Sequence, residues 1–170
     1  MPPVTEIPGR PVPERWYAEL QGFYAGHVRH RDEGAVADWL AALDDDAELT
    51  TNVFSARRAE LGEAMRWLDE QPGQAGLRRR HLLSTFVALR QPDDTVVTRY
   101  YALVVAGRPG ERPAVHSTSV ACDVLARSET GEWRVRRREI MRDDLPRPQS
   151  AEPDHAADPI AAVEEKPCAS

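Results

Sequence analysis

Histidine is the residue type in this chain best suited to acid–base chemistry near neutral pH, because its unperturbed pKa is about 6.5. Two of the five histidines, His81 and His116, stand near the start of long β-rich runs. His27 and His30 lie at the end of a helical run, where we expect them to be exposed or to cap helix carbonyls. His155 falls in a proline-rich C-terminal stretch. His81 and His116 are therefore the candidates for a general base.

Hydroxyl groups that could donate hydrogen bonds to a developing enolate follow His116 directly. Because side chains alternate along a strand, Ser117, Ser119 and Asp123 share one face of this run. His116 and Cys122 then lie on the opposite face. Alternation therefore favours the two serines, rather than His116, as the groups of this run that face one cavity.

Several other chemistries lack their motifs. The sequence contains no histidine–carboxylate set at metal-ligand spacing, no Gly-rich phosphate loop and no nucleophile elbow. Its two cysteines, Cys122 and Cys168, make neither a disulfide framework nor a zinc cluster. We expect the arginine runs 78–80 and 136–138 to line a solvated or dimer-facing sheet surface rather than to bind nucleic acid. The prediction is a site that works without cofactor or metal.

Hydrophobic spacing predicts the elements that must position these groups. Residues 14–31 have helical periodicity after Pro13, and a second short helix follows that should stop at the acidic run Asp44–Asp46. Residues 47–54 are typical of a short strand, and residues 56–69 of a third helix. The period then changes to two over four runs, 78–90, 95–106, 114–127 and 133–142. Their short connections permit only antiparallel neighbours, so the pattern predicts an α+β domain with helices on one face of the sheet.

Composition sets the limits of this domain. Ten of the 14 prolines fall within residues 1–13 and 146–170, which we predict to be flexible tails around a domain over 14–145. The net charge of −6 gives no global attraction to nucleic acid. No apolar run approaches the ~20 residues that a membrane span needs. The N-terminus lacks the basic-then-apolar order of a signal peptide, so we expect a cytoplasmic protein.

Spaced residues in several parts of the chain carry a family resemblance. They are Asp32-Glu33-Gly34 with Trp39, Arg79-Arg80-His81, Asp123-x-Leu125-x-Arg127, and Gly131-x-Trp133 with Arg138 and Asp143. Together they resemble the SnoaL-like branch of the nuclear transport factor 2-like superfamily over about residues 14–144. The resemblance implies a cone in which three N-terminal helices pack on a curved, mostly antiparallel sheet.

Within this branch the chain is similar to dehydratases and cyclases of aromatic polyketide pathways, such as those of the actinorhodin type, and more distantly to scytalone dehydratase. The resemblance implies cofactor-free acid–base catalysis on a hydrophobic polyketide intermediate, with His81 as base and Asp32 as its partner. It also implies that Ser117 and Ser119 hydrogen-bond the substrate. Scytalone dehydratase has a second histidine on its middle strand and a pair of tyrosines, and neither feature is matched cleanly here.

Four further residues are candidate substrate contacts. Tyr24, Asn52 and Tyr101 lie on elements that should border the cavity, where they would either orient the substrate or pack in the core. His116 is the fourth, although strand alternation turns it away from the serine face.

Simpler interpretations and other functions stay open at this point. Asp32 could simply cap the second helix, and His81 could pack beside the neighbouring arginines. The same fold would also suit a non-catalytic small subunit, as in ring-hydroxylating dioxygenases, or a ligand-binding or assembly module. The resemblance further implies a homodimer formed through the sheet.

Overall fold

The computed structural model describes residues 7–146, in which the helices precede the long strands along the chain. In chain order the elements are β1 (Arg10–Pro11), α1 (Glu14–Asp32), α2 (Val36–Ala41), β2 (Leu43–Thr51), β3 (Ser55–Arg57), α3 (Arg58–Glu70), a 3₁₀ turn (Pro72–Gln74), β4 (Arg78–Arg90), β5 (Val96–Gly107), β6 (Ala114–Arg127) and β7 (Trp133–Arg142). The three predicted helices and the four predicted long strands are confirmed. The predicted C-terminal tail from residue 147 onward lies outside the described residues.

Local chemistry accounts for the limits of α1. The helix starts directly after Pro13, whose φ of −55° suits a helix start. The basic residues 29–31 occupy its last turn, where they complement the negative end of the helix dipole. Gly34 then adopts a φ of +72°, a conformation that ends a helix at little cost for glycine alone. Asp32, the last residue of α1, is thereby held at a fixed place beside the sheet.

The strands form one seven-stranded sheet in the order β1-β4-β5-β6-β7-β2-β3. Strands β4 to β7 form the predicted antiparallel meander. β2 pairs in parallel with β7, so the sheet is mixed rather than purely antiparallel. The helices cover one face, and the largest fully buried apolar side chains are Leu20, Leu43, Leu61, Val96, Val97, Leu125 and Val135. No helix among the described residues is long and apolar enough to cross a membrane.

The sequence predicts that the acidic run Asp44–Asp46 ends the second helix. In the structure α2 already ends at Ala41, and the acidic run lies inside β2. Two arginines that are distant in sequence explain the difference. Arg136 Nε on β7 donates to Asp44 Oδ2 at 3.1 Å, and Arg58 at the start of α3 pairs with Asp45. These partners compensate the charges, so that buried Leu43 can begin the strand. β2 therefore starts earlier than the predicted strand at 47–54.

The prediction of a flexible tail over residues 1–13 is wrong for the described part of that stretch. Arg10 and Pro11 pair with the far end of β4. Ile7 is buried against Val97 and Cys122 on the sheet face that points away from the helices. Residues 7–11 are thus an edge of the folded domain.

The face of the sheet opposite the helices keeps several large apolar side chains exposed, among them Leu82, Tyr101 and Val115. A homodimer formed through the sheet would use this face. It stays a prediction.

A β-bulge divides β4 into two halves. Ser84 is opposite Tyr101 but Val87 is opposite Arg99, so β4 carries one extra residue between them. Thr85 has a φ of +55° within this bulge. As a result, His81 faces the helices in the first half, and Phe86 packs against the ring of Tyr24 on α1 in the second half.

Candidate active site

The centre of the candidate site is a hydrogen-bonded pair, Asp32 at the end of α1 and His81 near the start of β4. Asp32 Oδ1 lies 2.5 Å from His81 Nδ1. Asp32 Oδ2 accepts a second hydrogen bond, at 3.0 Å, from the backbone N–H of His81. The carboxylate is nearly buried, with 8% of its side chain exposed. Asp32 therefore fixes both the backbone and the ring of His81.

This contact determines which ring nitrogen of His81 can act as a base. An ionised carboxylate only accepts hydrogen bonds, so Nδ1 carries the proton that Asp32 accepts. The lone pair of the neutral ring is then on Nε2, which has no hydrogen-bond partner among residues 7–146. A quarter of the His81 side chain is exposed. Nε2 is consequently available to take a proton from a bound molecule.

The sheet register sets the position of the two serines relative to His81. His81 is opposite Val104 on β5, and Val104 is opposite Ser117 on β6. Ser117 therefore lies two strands from His81 in the same row, roughly 10 Å away. Ser119 is opposite Ala102 one row deeper and is buried. Both serines share the helix-facing side with His81, and a bicyclic molecule could span the gap.

The remaining predicted contacts have other surroundings. His116 is exposed at an irregularity in the β5–β6 pairing, where Val104 pairs with Ser117 but Val105 pairs with Val115. Tyr101 is 36% exposed on the sheet face away from the helices. The register therefore places Tyr101 on the side away from His81, and it pairs His116 with no residue of β5. A substrate contact from His116 stays a prediction.

Asn52 has a structural task at the end of the sheet. Its Oδ1 accepts from Arg142 N at 2.7 Å, and its Nδ2 donates to the carbonyl oxygens of Arg142, Leu145 and Pro146. The side chain thereby ties the β2–β3 turn to the chain that leaves β7. A substrate contact is not needed to explain this residue.

A buried charged network lies deeper between α1 and the sheet, and it is the part of the site that the sequence reasoning missed. Asp123 is fully buried and accepts two hydrogen bonds from Arg138, at 2.8 and 2.6 Å. The hydroxyls of Tyr24 and Tyr100 donate to Asp123 Oδ2 at 2.7 and 3.2 Å. Tyr24 also shares a 2.6 Å hydrogen bond with Thr98. The Tyr24 hydroxyl is thus committed inside the protein rather than offered to a substrate.

Arg138 stays charged in this buried network because it lies directly against the carboxylate of Asp123. Burial alone would lower the pKa of Arg138, but the Asp123 carboxylate outweighs it and raises that pKa above its ordinary value. Burial and the Asp123 charge raise the pKa of Tyr24 well above 10. Burial raises the pKa of Tyr100 in the same direction. Both tyrosines therefore remain hydrogen-bond donors at neutral pH.

His27 connects the network to the region of the dyad. The prediction that it is exposed or caps the helix is wrong: it is 3% exposed and stacks between the rings of Phe23 and Trp39. Its Nε2 lies 2.6 Å from Arg138 Nη1. Arginine can only donate, so His27 Nε2 accepts and the ring is neutral. Burial, and after it the Arg138 charge, lower the pKa of His27 well below 6.5.

The pKa of His27 predicts a loss of stability in mild acid. The unfolded chain binds a proton at His27 below about pH 6.5, whereas the folded protein does not, so the free energy of unfolding falls as pH decreases through this range. The slope contributed by one histidine is at most about 1.4 kcal/mol per pH unit. Urea unfolding at pH 7.5 and pH 5.5 measures it.

A His27→Gln variant is the matched control, because its amide oxygen can accept from Arg138 but does not titrate. Its loss of stability between pH 7.5 and 5.5 should be smaller than that of the original protein. Equal losses in the two proteins would contradict a neutral, buried His27.

The arginine run 136–138 does not behave as the single solvated or dimer-facing surface that the sequence predicts. Arg138 is 5% exposed, and the antiparallel register places it directly opposite Asp123. Arg137 is opposite Val124 on the face away from the helices, and Arg136 is the extra residue where the β6–β7 pairing shifts. The sequence signal was Asp123 itself, a carboxylate on the same strand face as Ser119 that needs a cationic partner when it is buried.

Two other features lie away from this arrangement. An open groove of about 480 Å³ runs between residues 8–10 and the β4–β5 turn, lined in part by Arg90 and Asp94. It is about 30 Å along β4 from His81, given ~3.3 Å per residue. Among residues 7–146, no cluster of three or more histidine, cysteine or acidic side chains could hold a metal ion.

The family model of the SnoaL-like domain matches residues 15–139, which include every group of the dyad and the buried network. A search of curated proteins gives no match. Among solved structures, ActVI-ORFA from Streptomyces coelicolor is similar at 23% identity and a TM-score of 0.73, covering 78% of this chain and 98% of the other. Aln2 from a Streptomyces species is similar at 25% identity and a TM-score of 0.73, covering 79% and 96%.

The fold is also shared with a subunit of a larger enzyme. The beta subunit of benzoate 1,2-dioxygenase from Burkholderia mallei is 14% identical, with a TM-score of 0.65, and the match covers 75% of this chain and 90% of the other. At this identity the likeness concerns the fold alone, an α+β arrangement of the cystatin-like, nuclear transport factor 2-like type. The match of the family model over most of the domain decides the classification. The chain belongs to the SnoaL-like family.

Proposed function

We propose that the protein is a cofactor-independent dehydratase or cyclase that acts on an aromatic polyketide-type intermediate. The observation that carries the proposal is the His81–Asp32 pair, in which Nδ1 is held by a nearly buried carboxylate and Nε2 is left available. The SnoaL-like family and the resemblance to polyketide dehydratases support the substrate class. A cytoplasmic location is part of the same proposal.

In a dehydration, His81 Nε2 takes the proton from the carbon next to a carbonyl group. The bond from the next carbon to its hydroxyl group then breaks, and a double bond forms between the two carbons. The imidazolium returns the proton to the departing oxygen, so that water leaves and His81 is neutral again. Asp32 stabilises the imidazolium while it carries two protons.

The serine hydroxyls would assist the same step. Ser117 and Ser119 lie on the side of the sheet that carries His81, and their O–H groups can donate to the carbonyl oxygen as negative charge develops there. The residues of β5 that separate β4 from the two serines in these rows, Val104 and Ala102, have apolar side chains.

The test uses a bicyclic β-hydroxy ketone. 3-Hydroxy-1-tetralone loses one water to form 1-naphthol, which is followed by its fluorescence and by mass spectrometry. We expect the purified protein to accelerate naphthol formation above the rate of a protein-free sample and of a heat-denatured sample. A panel of larger fused-ring hydroxy ketones extends the assay. A rate equal to the blank with every member of the panel would contradict the proposal.

A further inference from the structure

Arg79 differs from its two neighbours in the arginine run that opens β4. Arg78 and Arg80 are exposed, whereas Arg79 points to the helix side with 21% of its side chain exposed. It shares this side with His81, two residues further along the strand. The Cα atoms of Arg79 and His81 are therefore about 7 Å apart. The expectation that the whole run 78–80 lines a solvated or dimer-facing sheet surface does not hold for Arg79.

The nearest acidic group to Arg79 is already used by another arginine. Arg31 on α1 donates to both oxygens of Asp69 on α3, each at 3.0 Å. Arg79 Nη1 is 3.7 Å from Asp69 Oδ1, which is too long for a hydrogen bond. The Arg79 guanidinium thus has no hydrogen-bond partner among residues 7–146, although it has five N–H donors.

Two guanidinium groups at this end of the site, those of Arg31 and Arg79, face the single carboxylate of Asp69. Arg31 takes both oxygens of that carboxylate, and Asp32 is hydrogen-bonded to His81. The N–H donors of Arg79 are therefore unmatched, on a partly buried side chain close to His81. A guanidinium with free parallel N–H groups matches the geometry of a carboxylate.

We propose that Arg79 binds a carboxylate of the substrate, so that the protein acts on free aromatic acids. The identity of His81 as the neighbouring base rests on the function proposed above. Arg79 holds the acid group at the edge of the site. The fused rings extend across the sheet from β4 toward Ser117 on β6. The carbon–hydrogen bond that reacts then lies between these two contacts, beside His81 Nε2.

Binding of a matched pair of probes tests this subsite without requiring turnover. 1-Naphthylacetate carries a carboxylate, and 1-naphthylacetamide has nearly the same shape but no charge. Isothermal titration should show that the full-length protein binds the acid about tenfold or more tightly than the amide, the size of one charge-assisted hydrogen bond. Arg79→Gln should remove this preference, and Arg79→Lys should keep part of it.

Arg80→Gln is the control, because it removes the same charge from the adjacent, outward-facing position. It should retain the preference for the acid, and a thermal melt of each variant confirms that the fold is kept. Equal binding of acid and amide by the original protein would overturn the proposal. A preference that survives in Arg79→Gln would overturn it as well.

Competition separates a substrate carboxylate from the phosphate of a carrier-linked substrate. Acetate should displace 1-naphthylacetate more effectively than pantetheine 4′-phosphate does, whereas stronger displacement by the phosphate would overturn the carboxylate assignment. The result is independent of catalysis. If naphthol formation fails but the acid preference depends on Arg79, the subsite stands and the proposed reaction falls.

Discussion

An Asp32→Asn variant is expected to lose as much activity as His81→Ala, about 10²–10⁴-fold in kcat/KM. The reason lies in the two hydrogen bonds that Asp32 makes with His81. Asp32 Oδ2 accepts from the backbone N–H of His81. An asparagine must keep its oxygen at this position, because its NH₂ group cannot accept.

The NH₂ group of the asparagine would then face Nδ1 of His81. As a donor, it requires a lone pair on Nδ1, so the ring proton moves to Nε2 and the base is blocked. An Asp32→Ala variant leaves both tautomers open and should retain more activity than Asp32→Asn. The more conservative substitution is therefore expected to be the more damaging one.

Initial rates of 1-naphthol formation from 3-hydroxy-1-tetralone measure these differences. Arg78→Gln, an exposed change on the same strand, is the matched control and should have the original rate. If Asp32→Asn were folded and as active as the original protein, Asp32 would not set the tautomer of His81. Full activity in folded His81→Ala would remove His81 as the base.

The second large effect concerns stability. Replacement of Asp123 by alanine is expected to lower the free energy of unfolding by about 3–5 kcal/mol, because Arg138 would keep a buried charge without a partner. Tyr24 and Tyr100 would lose their acceptor as well. Urea unfolding at pH 7.5 measures the loss.

Two comparisons show whether the unpaired charge is the cause. Asp45→Ala removes the exposed carboxylate of the Asp45–Arg58 ion pair. This change should alter the free energy of unfolding very little. Adding Arg138→Met to an Asp123→Leu variant should recover much of the loss, because no buried charge remains. A double variant as unstable as Asp123→Ala would point to the tyrosine and histidine contacts instead.

Much of the architecture could be predicted because it follows from local patterns. The helical spacing around Leu20 and the alternation over 114–127 report directly which face of each element is buried. The pairing of Asp32 with His81 came from motif resemblance, and the geometry now supplies its physical basis.

The parts that could not be predicted depend on contacts between distant segments. Asp44 looks like a helix stop until Arg136 of β7 is placed beside it. His27 looks exposed until Arg138 supplies a buried donor, at a separation of 111 residues. Arg79 looks solvated until Asp69 of α3 is found beside it. In each case the surroundings of a polar or charged side chain depend on a distant segment that local periodicity does not reveal.

The bulge in β4 has a consequence for how the site and the core tolerate insertions and deletions. The extra residue between Ser84 and Val87 shifts the alternation by one position, so odd-numbered residues face the helices before it and even-numbered residues after it. Deleting Thr85 would remove the extra residue and restore strict alternation against β5, so His81 and Phe86 would both still face the helices. What the bulge adds is the local bend and twist of β4, not the side on which either residue lies. A strand without the bulge is therefore expected to keep the chemistry joined to the scaffold, and the change would be seen in the angle between its two halves.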